Sequence, residues 1–171
     1  MKSSEAAFAA ILAFSLAGCA GSVSAPTPVQ SLSNEQRASL HLADVTADAA
    51  SGVEMGDSDF DLVCQKVKDD VQKESPNVMA TAPDGASAYK MQIHFTKFDR
   101  GSALGRAVLI GLGQIRIEAT INLVDANGAT AASYKVSKDF AFGGIIGAVT
   151  SVEDVEEGFA KSVAEIVKAK A

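Results

Sequence analysis

Two stretches of strict alternation dominate the polarity pattern of the chain. Tyr89, Met91, Ile93 and Phe95 alternate with Lys90, Gln92, His94 and Thr96, and Ile115, Ile117, Ala119, Ile121 and Leu123 alternate with Arg116, Glu118, Thr120 and Asn122. A period of two puts the apolar side chains on one side of an extended backbone, so each stretch is predicted to be a strand with one buried face. Two further strands are predicted, over Arg37–Thr46 and, alternating less cleanly, over Thr130–Phe142. Elsewhere the period lengthens to that of a helix. Phe60, Val63, Cys64, Val67 and Val71 recur at helical spacing and predict a helix over Ser58–Lys73, with Ser58 as N-cap, ended by Ser75-Pro76-Asn77. Val152, Val155, Phe159, Val163 and Ile166 form one stripe of a closing helix over Ser151–Lys170. The element order is β-α-β-β-β-α. It predicts an α+β fold: a single domain, a mainly antiparallel sheet and two helices packed on one face.

Register is legible at one hairpin. Asn127-Gly128 between two strands is the signal for a two-residue type I′ turn. That turn opposes Ile121 to Tyr134, Ala119 to Val136 and Ile115 to Phe140 on the apolar face, and Arg116 to Asp139 on the polar face. Lys138 alone breaks the pattern, pointing inward opposite Ile117. Inward charges blunt exposed strands, so the last strand is predicted to be a sheet edge.

The N-terminus has a different character. Lys2 precedes an apolar run from Ala6 to Ala17, too short to span a bilayer, followed by Leu16-Ala17-Gly18-Cys19. This layout resembles the lipobox of bacterial lipoproteins. It makes residues 1–18 a signal peptide and Cys19 an acylated mature terminus, with two or more chains giving a firm membrane anchor. The competing reading is an ordinary cleaved signal with Val23-Ser24-Ala25 as the processing site and a free secreted product. Ala20, not being acidic, points to the outer membrane, with the protein facing the periplasm. Residues 19–36, rich in Ser, Ala and Pro, are expected to be a flexible tether reaching about 23 Å, with the folded domain over 37–171.

Composition narrows the partners. A net charge of −6 argues against nucleic acid and against docking on anionic lipid, and 47% hydrophobic content suffices for a core. With Cys19 acylated, Cys64 has no disulfide partner and is expected to be a small core hydrophobe. Gly111-Leu112-Gly113-Gln114-Ile115-Arg116 places Arg where a dinucleotide fingerprint needs its third glycine, so no nucleotide is expected. His41 and His94 are isolated, so no metal or other cofactor is expected. Two Gly-rich apolar connections should leave one end of an antiparallel meander together. Their side chains Leu104, Val108, Leu109, Ile110, Leu112, Ile145 and Ile146 form a candidate partner surface, weighed against simple closure of the core end.

Phe95-Thr96-Lys97-Phe98-Asp99-Arg100-Gly101, Arg106, Gly111-Leu112-Gly113, Leu123-Val124-Asp125, Gly128, Gly143-Gly144 and the closing amphipathic helix carry a resemblance. Over residues 40–168 the chain resembles a family of small bacterial envelope lipoproteins known only as a domain of unknown function, of the DUF4410 type. It departs from that pattern over 78–87, a linker of small residues. The resemblance implies an envelope-located α/β domain and assigns no catalytic residues. The expected protein is a membrane-anchored, non-enzymatic binding or assembly module with an envelope partner, and association with further copies stays open. The alternative is a periplasmic enzyme or small-ligand binder using the polar sheet face around His94 and Glu118.

Overall fold

The computed structural model describes residues 25–81, 88–102, 114–140 and 151–168. Its elements are β1 (Thr27–Gln30), α1 (Asn34–Ala38), β2 (His41–Ala49), α2 (Asp57–Glu74), α3 (Pro76–Met79), β3 (Ala88–Asp99), β4 (Ile115–Val124), β5 (Thr130–Phe140) and α4 (Val152–Ala164). The five strands form one sheet in the order β1-β5-β4-β3-β2. Every neighbouring pair is antiparallel except β2 and β3, which run parallel and are joined through α2. Helices α2 and α4 pack on each other and on the sheet, α2 over β2 and α4 over β4 and β5. The α+β expectation is met, with β1 and the short helices α1 and α3 added.

The core lies between the sheet and the two long helices. Met91, Ile93, Phe95, Ile115, Ile117, Ile121 and Leu123 are buried from the sheet, against Val63, Val67 and Val71 of α2 and Val155, Phe159 and Val163 of α4. Three rings tie the layers together: Phe95 lies 6.2 Å from Phe60 and 5.5 Å from Phe159 between centroids. Each such side chain contributes about 1.5–3 kcal/mol on burial.

Several boundaries differ from expectation, each for a local reason. The later part of the expected tether is structured: β1 pairs with β5, Thr27 opposite Lys135 and Pro28 opposite Tyr134, and Leu32 is buried. The expected strand over Arg37–Thr46 starts late because Ser33 and Gln36 close a capping box that turns 34–38 into α1. Gly56, not Ser58, is the N-cap of α2, its N–H donating to the Asp59 carboxylate at 2.9 Å. The closing helix ends at Ala164, after which Ile166 and Val167 donate three residues back, to Val163 and Ala164. The last strand is not an edge, because β1 covers it.

The hairpin register is as expected, but the turn is not. Ile121, Ala119, Ile115 and Arg116 face Tyr134, Val136, Phe140 and Asp139. A type I′ turn needs positive φ at both central residues; Gly128 has it, at φ +84°, and Asn127 does not, since no non-Gly residue among those described has a positive φ. Asp125 accepts at its carbonyl from Gly128 N–H, and its carboxylate accepts from the N–H groups of Asn127 and Ala129. The turn pairs Val124 with Thr130. The pairing then steps to Leu123 with Ala132, so a bulge at Ala131 restores the register that the two-residue turn would have given.

Candidate functional site

The sheet face away from the helices is polar, and pairing arranges it in rows. Asp48 of β2 lies beside His94 of β3; His94 faces Thr120 of β4, which faces Lys135 of β5, which faces Thr27 of β1. The His94 Nδ1 is 2.6 Å from the Asp48 carboxylate, with side chains 44% and 76% exposed. Such a pair fixes the ring orientation and directs its other nitrogen outward. The next row holds Glu118, opposite Lys97 and Ser137, and the bulged Thr96 hydroxyl donates to the Glu118 carbonyl at 3.2 Å. Arg116 bridges the Glu118 and Asp139 carboxylates at 3.9 and 3.8 Å, so the expected Arg116–Asp139 pairing is present.

His94 and Glu118 are therefore not brought together. Glu118 stands two residues along β4 from Thr120, the residue opposite His94, and its charge is turned to Arg116. An open depression of about 490 Å³ over these rows is lined by Thr27, Thr96, Glu118, Thr120, Lys135 and Ser137, and His94 is not among its walls. Asp48 is the site residue that sequence reasoning missed. It lies past the expected strand end at Thr46, and a parallel neighbour's register is set by no turn.

A second polar cluster sits where β3 leaves the sheet. Asp99 faces Arg116 and Ile115 faces Phe140, so the ends from which the two Gly-rich connections leave do converge. The connections themselves, with Leu104, Val108, Leu109, Ile110, Leu112, Ile145 and Ile146, lie outside the described residues, as does Cys19. At the end of β3 Arg100 donates to both Asp59 carboxylate oxygens at 2.8 Å while its guanidinium lies 4.9 Å from the Phe98 ring centre. The Gly56 N–H and this guanidinium hold the Asp59 carboxyl below its usual range.

Between α2 and α4, Glu156 is only 2% exposed. Its Oε2 is 3.7 Å from the Lys66 ammonium and has no hydrogen-bond partner among the described residues, and burial pushes its carboxyl up. Lys138 is 4% exposed on the core side opposite Ile117, as its parity predicted, and burial pushes its ammonium down. Cys64 is half-buried with its thiol pushed up, which is the behaviour of a packing residue and not of a nucleophile. Among the described residues no three metal-ligating side chains come together.

Solved structures share this fold, among them two of PelC. A variant of the PelC dodecamer from Paraburkholderia phytofirmans is 12% identical with a TM-score of 0.55, over 85% of this chain and 98% of that one. The PelC dodecamer of the same organism in a second crystal form is 14% identical with a TM-score of 0.54, over 87% and 100%. At such identity the likeness is one of fold. No curated protein matches the sequence. A family profile spans residues 26–144, from the strand β1 that covers the sheet through the hairpin to the second glycine-rich connection, and by that match the chain belongs to the family described as Domain of unknown function (DUF4410).

Proposed function

We propose that this chain is a module of the bacterial envelope, anchored by lipid at Cys19 in the outer membrane and facing the periplasm, that works by binding and self-assembly and catalyses no reaction. The observation that carries the reading is the open polar face. Its ionisable side chains are paired along and across strands, Asp48 with His94 and Arg116 with Glu118 and Asp139, instead of converging on an enclosed cavity. A catalytic acid or base needs such enclosure to acquire a shifted pKa and exclude water. Self-assembly is supported by a fold shared with PelC, a protein solved as a dodecamer, over nearly its whole length.

The anchor is supported by the sequence around Cys19. The converging ends of β3, β4 and β5 support the apolar connections, Leu109 and Ile110 foremost, as the contact with an envelope partner. The test is fractionation of cells carrying the full chain, Cys19→Ser, or Leu109→Ser with Ile110→Ser. The anchor predicts a membrane-bound wild type with an acyl mass at its terminus and release by Cys19→Ser. The partner surface predicts that the double variant folds but loses its crosslinked neighbour. An unmodified terminus downstream of Cys19, or loss of folding in the double variant, refutes the corresponding part.

One observation favours the rival, a small-ligand or enzymatic site on the same face: the short His94–Asp48 contact is of the kind that orients a general base. That reading requires a ligand whose binding is lost in both His94→Ala and Glu118→Gln.

A further inference from the structure

We propose that copies of this chain associate head to tail, with the β1 margin of one docking along the β2 margin of the next. This rests on the self-assembly reading above and names its surfaces. Among the described residues the sheet ends in two unpaired edges, and they are unlike. Strand β2 offers nine residues, without proline or lysine, paired among those residues on one side only. Strand β1 offers four, all exposed, interrupted by a bulge at Val29 and carrying Pro28, which has no N–H to donate.

Among the large hydrophobic residues described, Val29, 63% exposed, stands at the β1 bulge. Between α2 and β2 runs an open groove of about 460 Å³ with mixed walls, Val45, Ala47 and Phe60 beside Asp44, Asp61 and Lys68. It is a concavity at one margin, and Val29 is a projecting side chain at the other.

Charge selects between the ways of joining them. At the β2 margin Asp44 is paired with Lys68 and Asp48 with His94, which leaves the exposed Asp61 as its acidic group, whereas the exposed Lys135 stands next to Thr27 at the β1 margin. Neither Asp61 nor Lys135 has an ion-pair partner among the described residues. A two-fold pairing of β2 with β2 would oppose acid to acid, and β1 with β1 would oppose two interrupted edges. Joining β1 to β2 brings opposite charges and unlike shapes together. Head-to-tail contacts are heterologous and close into rings when the rotation per copy divides a full turn.

The experiment is light scattering on the full chain in detergent, with two exposed-surface variants: Val29→Arg for the β1 margin and the pair Asp61→Lys, Thr46→Arg for the β2 margin. Each alone is expected to weaken self-association at least tenfold, giving the monomer mass at concentrations where the wild type is oligomeric. Mixed, the two retain one intact margin each and should form a heterodimer and nothing larger. An oligomer whose mass survives both variants, or a mixture that stays monomeric, overturns the head-to-tail surface alone. A monomeric wild-type chain overturns the self-assembly reading and this surface with it.

Discussion

Gly158 leaves the space that the buried Lys138 side chain occupies: a Cβ built on Gly158 would stand 2.8 Å from Lys138 Cε and 3.2 Å from its Nζ. A helix-interior glycine costs roughly 0.5–1 kcal/mol relative to alanine, so here helix stability is given up to seat an inward lysine. Gly158→Ala should therefore be neutral or destabilising by about 1 kcal/mol in the wild type. In a Lys138→Ala background the same change should stabilise by roughly 0.5–1 kcal/mol. Urea denaturation of the four-member cycle measures the coupling.

Glu156 predicts a pH dependence whose sign follows from its raised carboxyl. Its ordinary value is 4.5, and burial lifts it in the folded state. Between those two values the folded chain holds more protons than the unfolded one, so stability falls as pH rises through that window. Glu156→Gln removes the slope. Denaturation should show the variant more stable by about 1 kcal/mol at pH 7.5, with no gain at pH 4, since the buried negative charge is what is relieved.

Arg37 fastens the N-terminal arm to the far end of the fold, donating to the Ile166 carbonyl at 3.1 Å and the Tyr134 hydroxyl at 3.4 Å. Arg37→Ala should cost about 1 kcal/mol. Amide exchange should rise over residues 27–38 while β3 and β4 stay protected, because the arm is held by few buried contacts.

The turn gives a direct test of its type. Gly128→Ala meets no atom within 4 Å yet forces a side chain to φ +84°, which should cost about 1–2 kcal/mol in thermal or urea unfolding. Asn127→Ala should be nearly silent, whereas a type I′ turn would make both changes costly. Asp125→Ala, which removes the acceptor of two N–H groups, should cost about as much as the glycine change.

That hairpin also marks how far sequence carries. Alternation along Ile115–Leu123 and Ala132–Asp139 leaves parity almost no freedom, so the facing pairs and the inward Lys138 were legible, although the turn was of another type and a bulge at Ala131 made up the difference. Strand β1 was not legible. Its four residues show no alternation, include Pro28 and stay exposed, so what specifies them is the neighbouring strand, not their own pattern. For the same reason an edge was inferred at β5 where none exists. At the candidate site, the polar row from His94 to Lys135 could be read residue by residue. Asp48 could not, since nothing local fixes which residue of a parallel neighbour stands beside His94.

The docking of β1 also has a mechanical consequence. From Cys19 to Thr27 is a stretch of eight peptide steps, at most about 26–29 Å when taut. On the proposed anchor this is a short leash, so the molecule cannot tumble freely above the leaflet, and neighbours drift in one plane with their margins at a common height. Collisions between copies then become encounters in two dimensions with little rotational search, which favours even weak contacts along a strand.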